Sequence, residues 1–261
     1  MDIKLYSYLF GLFGTDGSVR RTNDGKHIYD LTLELIDKDI IDKIYNMLPN
    51  CSINERFRDT NFKKGYHSYI LHCHNQDFIL WCEQNNFPIK DKTNNMAPPI
   101  GNYSLSDFWR GVIDGDGSIG TKATDGQPFI SLVTKSKSLK EAYCDYIYLL
   151  TGFKPTSNRN MRDNIFNITL HGEKALIISK NLYNNSILHI DRKYNKYIEN
   201  STWQKKSMKG IVRKKWTLEE VEDLQKMSNE DFHIKYPERT LVAIRNKRKK
   251  IEKEVMENVN K

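Results

Sequence analysis

The chain has 261 residues, 38% of them hydrophobic, with 14 Tyr and 11 Phe, enough for a real core and too apolar for global disorder. A net charge of +8 points to a polyanionic partner, nucleic acid first, set against the alternative of a merely basic enzyme. The charge is uneven: residues 201–261 hold 16 Lys+Arg against 10 Asp+Glu, and residues 1–200 hold 25 against 23, so the C-terminal region is the electrostatic anchor.

The first apolar run, Leu5 to Phe13, is too short to span a membrane and ends in Gly-Thr-Asp-Gly. It has neither a basic n-region nor a small-residue cleavage site, so a soluble, cytoplasmic protein is expected. Cys51, Cys73, Cys82 and Cys144 form no C-x-x-C pair, and scattered thiols suit a reducing compartment. His72, Cys73 and His74 are adjacent, but strand alternation points Cys73 away from the two histidines and argues against a metal site.

The chain is written twice. LFGLFGTDGSV at residues 9–19 matches WRGVIDGDGSI at 109–119, placing Asp16 and Asp116 100 residues apart. YDLTLELIDKDIIDKIYNML (29–48) matches PFISLVTKSKSLKEAYCDYIYLL (128–150), and YILHCHNQDFILWCEQNNF (69–87) matches FNITLHGEKALIISKNLYNN (166–185). PIKDKTNN (88–95) then matches HIDRKYNK (189–196). An offset that stays near 100 throughout makes this a duplication. Each copy reads helix, strand, strand, helix, strand, strand, helix. The first strand pair flanks Arg21 to Gly25 in one copy and Ala123 to Gly126 in the other, both ending in the Asp-Gly hairpin signal. The second pair is expected to flank Asp59 to Gly65 and Asn158 to Asp163. Pro98 and Pro99 divide the copies. The expected fold is α+β, two pseudo-symmetric αββαββα halves with helices on one face of each sheet and the other face free for a partner.

Leu9 to Gly17 and Trp109 to Gly117 each end a helix. Gly11 and Thr15, like Gly111 and Gly115, lie four apart on one face, so two backbones can approach closely. A mid-helix glycine costs roughly 0.5–1 kcal/mol relative to Ala, and a repeated pair therefore implies a packing reason. Asp16 and Asp116 precede Gly17 and Gly117, which are expected to stop the helices in the left-handed conformation. A carboxylate at the negative pole of a helix costs about 0.3–1 kcal/mol. Two of them converging repel, and a divalent cation is the simple compensation. Such a pair can serve phosphodiester cleavage.

Both segments resemble the LAGLIDADG motif, and the resemblance to the homing-endonuclease family covers residues 1–200. It implies a DNA-binding saddle and a double-strand endonuclease using Mg²⁺ or Mn²⁺ at a long site, with Asp16 and Asp116 as metal ligands. It also implies a basic residue near the end of each half that supports the water network or the scissile phosphate. Lys92 and Lys193, equivalent in the repeat, are the candidates. The family's earlier aspartate is present as Asp114 but replaced by Gly14 in the first copy. A non-cleaving binder, such as an intron RNA maturase or a transcriptional repressor, is the alternative; retaining both aspartates favours cleavage. The expected host is the cell of a mobile intron, an intein-like element or a phage.

Along the hairpins, DNA-facing side chains should alternate with core-facing ones. Arg20, Arg21, Lys26, Arg56, Arg58, Lys63 and Lys64 are the candidates in the first half. Lys122, Gln127, Lys135, Arg159 and Arg162 are those in the second. The halves differ at these positions, so an asymmetric duplex and a monomeric enzyme are expected.

Residues 1–97 and 98–202 thus form the halves, 203–215 a basic linker, and 216–261 a small all-α DNA-binding domain. Trp216 to Glu220 opens a helix with Thr217 as cap and Glu220 three residues on. Asn229 to Tyr236 and Thr240 to Lys253 suit two more. The Trp216-Thr-x-Glu-Glu start and the Arg239-Thr-x-x-Ala-Ile244 stretch resemble Myb/SANT-like helix-turn-helix modules. Arg213, Lys214, Lys215, Arg239, Arg245, Lys247 and Arg248 are the expected DNA contacts there.

Overall fold

The computed structural model describes residues 2–59, 64–160, 162–205 and 214–259, with side chains described as far as Glu252. The chain divides into two compact units, residues 1–205 and 206–261. No helix among the described residues is long and apolar enough to cross a membrane.

The first unit is α+β, with the expected saddle of two pseudo-symmetric halves. Its first half runs α1 (Ile3–Thr15), β1 (Gly17–Arg21), β2 (Ile28–Leu35), α2 (Lys38–Met47), β3 (Cys51–Arg58), β4 (Tyr66–Cys73), α3 (Gln76–Gln84) and α4 (Lys92–Asn95). The second runs α5 (Leu105–Asp116), β5 (Gly117–Thr121), β6 (Pro128–Thr134), α6 (Lys137–Thr151), β7 (Phe166–His171), α7 (Glu173–Tyr183) and α8 (Asp191–Ser201). The sheets are antiparallel, in the orders β1-β2-β4-β3 and β5-β6-β7. Period-two alternation decides which face is covered. Leu31, Leu33 and Leu35 of β2 are buried, as are Ile130 and Leu132 of β6 and Ile168 and Leu170 of β7. The duplication reaches the register: Gly17 lies opposite Leu33, and Gly117 opposite Leu132. Both hairpin turns carry their glycine at positive φ, +69° at Gly25 and +70° at Gly126, as an Asp-Gly turn requires.

The halves are not identical. Among the described residues, β7 alone of the second expected strand pair is present in the second copy. The stretch 153–160 contributes no ladder among the described residues. Pro155 has no N–H to offer, and the stretch is held instead by the Ser157 hydroxyl on the Asn167 carbonyl (2.9 Å) and the Asn160 N–H on the Ile165 carbonyl (2.7 Å).

Helices α1 and α5 form the spine. Leu5 to Gly14 are all buried, the pattern of a helix covered all round. Phe10 packs edge-on against Trp81 and Phe87, with centroids 5.7 and 4.9 Å away. Trp109 meets Tyr143 and Tyr146 at 4.9 and 5.6 Å.

The second unit has three helices among its described residues: α9 (Leu218–Lys226), α10 (Asn229–Lys235) and α11 (Leu241–Val259). Thr217 and Glu220 form the expected reciprocal capping box. Leu224, Phe232 and Ile244 are its core. Arg239, expected to face DNA, is buried here. Its guanidinium grips both Glu220 oxygens (2.9 and 2.8 Å), donates to the Lys214 and Lys215 carbonyls (2.7 and 2.8 Å) and stacks over Trp216. Removing one partner of a buried ion pair costs about 3–5 kcal/mol, comparable to the whole margin of a unit this small. Arg239→Ala is therefore expected to unfold this unit alone. Limited proteolysis should release a residue 1–205 core while the C-terminal unit is degraded; equal protease resistance of the two proteins would contradict this.

Candidate active site

Helices α1 and α5 touch backbone to backbone. A methyl group built on Gly11 would overlap the Phe108 carbonyl oxygen and lie 2.8 Å from the Val112 nitrogen. One on Gly111 would overlap the Tyr8 carbonyl oxygen and lie 2.9 Å from the Leu12 nitrogen. The repeated glycines are therefore packing residues, as their spacing implied. The contact continues to the C-terminal ends, where a Cβ on Gly115 would overlap the Thr15 hydroxyl and stand 3.4 Å from the Asp16 carboxyl carbon.

Asp16 and Asp116 thus stand together, Asp16 as the cap of α1 and Asp116 as the last residue of α5. The glycines that follow differ from expectation. Gly117 is extended, at φ −92° and ψ 169°, and Gly17 is not at positive φ either. Their lack of a side chain has a steric cause: a Cβ would sit 2.6 Å from the Phe13 carbonyl oxygen at Gly17 and 2.6 Å from that of Ile113 at Gly117.

Both carboxylates are open to solvent on one side and crowded on the others. Crowding raises the pKa of Asp16, opposed by the charges of Lys193, Lys92 and Arg192. Desolvation, and then the negative charge of Asp16, push Asp116 up to about 6, against the pull of Lys92 and Lys193. Two like charges disfavour joint ionisation. A cation between them would relieve that.

Lys92 and Lys193 occupy equivalent places, each on the end of its own motif helix. The Lys92 ammonium donates to the carbonyls of Gly14 (2.8 Å), Phe13 (3.3 Å) and Thr15. The Lys193 ammonium donates to those of Ile113 (2.6 Å), Asp114 (2.6 Å), Gly117 (2.8 Å) and Gly115 (3.3 Å). An ammonium has three N–H bonds, and these carbonyls engage all of them. The last carbonyls of a helix lack partners and carry its negative pole; each lysine answers both. Burial lowers the pKa of Lys92 and takes Lys193 down to about 8.

Asp114 works from beneath. It is 1% exposed and accepts from the Tyr8 hydroxyl (2.8 Å), the Tyr183 hydroxyl (2.6 Å) and the Ile190 N–H (3.0 Å). Ile190 caps α8, the helix that carries Lys193, so Asp114 ties both motif helices to the lysine's own helix. In the first copy Gly14 leaves that space to the Met96 side chain, which a Cβ there would overlap. Sequence reasoning missed Tyr8 and Tyr183. Their hydroxyls reach 106 and 69 positions along the chain, and no local pattern marks them. It also missed the link between halves in which Arg192 grips Asp37 (2.9 Å) and Lys43 pairs with Asp191.

The hairpin candidates fall into groups. Arg56 and Arg58 converge on Glu34 at 3.3 and 3.2 Å, and Arg20 lies 3.8 Å from Asp30; these positions alternate with the buried leucines of β2. Arg21, Lys26 and Lys64 are exposed at or beside turns, Lys122 and Gln127 face each other across one, and Lys135 is exposed after β6. Arg159 is held by Asn164 (3.0 Å), the Lys135 carbonyl (3.1 Å) and the Phe166 ring, while Arg162 pairs with its neighbour Asp163. In the second unit Lys215 and Arg245 are exposed, Lys214 pairs with Glu238, and Lys247 is half-buried. Arg248 turns inward to Asn229 (3.1 Å) and the Met227 carbonyl (2.7 Å). Lys63 and Arg213 lie outside the described residues. His72 and His74 flank the buried Cys73 as alternation requires, and no cluster of three metal-ligating side chains occurs among the described residues.

A family profile described as "LAGLIDADG-like domain" matches residues 4–84 and again 105–184. The homing endonuclease I-WcaI, solved bound to its DNA recognition sequence, is similar in fold, with TM-score 0.54 and 16% identity over 74% of this chain and 86% of that one. Mesophilic variants of the homing endonuclease I-DmoI match with TM-score 0.48 and 14% identity, over 71% of this chain and 92% of theirs. The N-terminal LAGLIDADG domain of DUF199/WhiA matches with TM-score 0.45 and 11% identity, over 72% and 86%. At 16% identity the likeness to I-WcaI is one of fold. No curated protein matches the chain.

Proposed function

The chain belongs to the LAGLIDADG-like domain family, and from that premise we propose that it is a site-specific endonuclease that cuts both strands of duplex DNA with a divalent metal. The carrying observation is the paired carboxylates at the meeting helix ends, where the charge of Asp16 raises the pKa of Asp116. The donor set fits Mg²⁺ or Mn²⁺: two hard oxygen ligands, with no third ligating side chain beside them among the described residues, suit an ion that completes its shell with water and phosphate oxygens. Asp16 and Asp116 would hold it. When bound, such an ion polarises a phosphate oxygen and lowers the pKa of water. The rest is done by the chain. Lys92 and Lys193 fix the helix ends and offset their negative poles, so that the carboxylates keep one geometry. The open sheet faces, with Arg20, Arg56 and Arg58, bind and orient the duplex. One chain supplies both halves and needs no second copy, and the different hairpins select an asymmetric site. The division at residue 98, the 203–215 linker and a DNA-binding role for residues 216–261, the stretch that resembles Myb/SANT modules, are parts of the same proposal.

The test is incubation of the protein with a library of long duplexes and Mg²⁺, followed by sequencing of cut ends. Ends that converge on one site, on both strands, are expected. DNA bound but left whole would favour the non-cleaving binder.

Metal and pH are linked. Asp116 is raised from 3.8 to about 6, so between these values the folded state holds a proton that the unfolded state releases. Without metal, this group's contribution to stability falls as pH rises through that window. Mg²⁺ at ten times its Kd should restore about 1.4 kcal/mol at pH 7.5, a Tm rise of about 3–6 °C. At pH 5 the proton competes and the rise should shrink. A metal-induced shift equal at both pH values, or retained in Asp116→Asn, would contradict this link.

A further inference from the structure

Cys51 and Cys73 stand opposite each other on the first rung of the β3–β4 ladder. Directly opposed residues send their side chains to one face, and here it is the core face. Cys73 is fully buried, as Leu71 is, and Cys51 packs half-buried against the same core. The kind of rung follows from its neighbour. The His74 N–H donates to the Asn50 carbonyl (2.9 Å), so Asn50 and His74 are a hydrogen-bonded pair, and alternation makes Cys51 and Cys73 a non-hydrogen-bonded one. Such a pair brings its Cα atoms to about 4.5 Å, inside the span of roughly 4.4–6.8 Å that a disulfide bridges. The thiols already meet: a hydrogen bond between them lowers the pKa of Cys51 and raises that of Cys73. Cys82 on α3 and Cys144 on α6 are both buried, and burial raises their pKa. Of the four cysteines, Cys51 is thus the one open to solvent and the one shifted toward thiolate.

We propose that Cys51 and Cys73 are a reversible redox site, closed to a cross-strand disulfide by exchange with a low-molecular-weight disulfide such as oxidised glutathione. The Cys51 thiolate attacks one sulfur of that disulfide. The oxidant's S–S bond breaks, and one glutathione leaves, taking up the proton that Cys51 gave. The Cys73 sulfur then attacks the Cys51 sulfur of the mixed disulfide, and its proton passes to the second glutathione. Two protein thiols are oxidised, one disulfide is reduced to two thiols, and the atoms balance. The order of steps is set by exposure. Cys51 can be reached from solvent and takes the first step. Cys73, fully buried, meets no outside disulfide and resolves only a bond presented on its own rung. Exposed or strained disulfides are the labile ones. A half-exposed bond at the short end of the Cα span is of that kind, and a reducing compartment reopens it. Strand β3 is an edge strand with β4 as its one neighbour, and its other face carries Arg56 and Arg58, paired with Glu34. The bond ties that strand to the sheet at its root. The reaction does not depend on whether the chain cuts DNA.

The test is incubation of the native full-length protein with oxidised glutathione, alkylation of the remaining thiols, and mass spectrometry of the intact chain and of its fragments. Loss of two of the four thiols, with no glutathione retained, is expected, and a dithiol reductant should restore all four. Digestion has to cut at Asp77, which separates Cys73 from Cys82. The linked fragments should then join Cys51 to Cys73, with Cys82 and Cys144 alkylated. Cys51→Ser replaces a half-buried thiol by its nearest isostere, so the fold is kept, and an unchanged melting curve verifies it. This variant should lose no thiol pair. Four thiols untouched by the oxidant would overturn the proposal. So would glutathione held stably on Cys51, a link mapped to Cys82 or Cys144 or between two chains, or a thiol pair lost in Cys51→Ser.

Discussion

Replacing Asp16 or Asp116 by Asn is expected to lower double-strand cleavage by about 10³-fold or more while duplex affinity stays within a few-fold. Asn keeps the shape of the side chain and removes its charge. What is lost is half of the ligand set for a divalent ion, and the remaining carboxylate gains nothing to replace it. The partner's environment changes in a defined direction: in Asp16→Asn the like charge that raises Asp116 is gone, so the Asp116 pKa falls. DNA affinity should hold or improve, since a negative charge near the phosphates is removed. An end-labelled duplex in which each strand is followed separately measures both quantities. Wild-type cutting of both strands by both variants would overturn the site assignment. Loss of binding in step with loss of cutting would show that the aspartates hold the fold or the DNA, not the reaction.

The second large effect concerns stability. Gly111→Ala places a methyl group onto the Tyr8 carbonyl oxygen and 2.9 Å from the Leu12 nitrogen. Helix propensity alone would favour Ala by roughly 0.5–1 kcal/mol. The obstacle here is backbone, which cannot step aside as a side chain can, so α1 and α5 must separate. Overpacking costs typically 1–3 kcal/mol, occasionally more, and the upper end applies, a net fall in Tm of about 5–10 °C. Gly14→Ala is the control. Its methyl group would meet only the flexible end of Met96, and a much smaller loss is expected. Thermal unfolding of the two variants beside wild type decides the matter. Equal losses would mean that the helix crossing is not the tight contact.

The duplication was legible because it repeats both composition and spacing, and it carried the site with it. Asp16 and Asp116 are marked by the repeated motif at the helix ends, and Lys92 and Lys193 by their equivalence in the repeat. The role of the lysines was less accessible. An ammonium on helix-end carbonyls depends on how α4 and α8 return to α1 and α5, some 80 positions along the chain. Asp114 with Tyr8 and Tyr183 is the same kind of long-range contact. Arg239 looked like one more basic residue in a basic region. Only the fold shows Glu220 and Trp216 waiting for it. Among the described residues no strand precedes β7 in the second expected pair, and Pro155, which offers no ladder donor, is a local feature that periodicity does not weigh. The glycines after the aspartates were expected as left-handed stops and are not; what they answer to is a close carbonyl.

In the proposed site Asp16 and Asp116 grip one metal centre between the two halves. Anomalous X-ray scattering from Mn²⁺, in crystals of the full chain with an uncleavable duplex, tests it most directly. Anomalous density is expected within coordination distance of both carboxylates and beside a phosphate. Density bound elsewhere on the protein, with these two carboxylates bare, would contradict it.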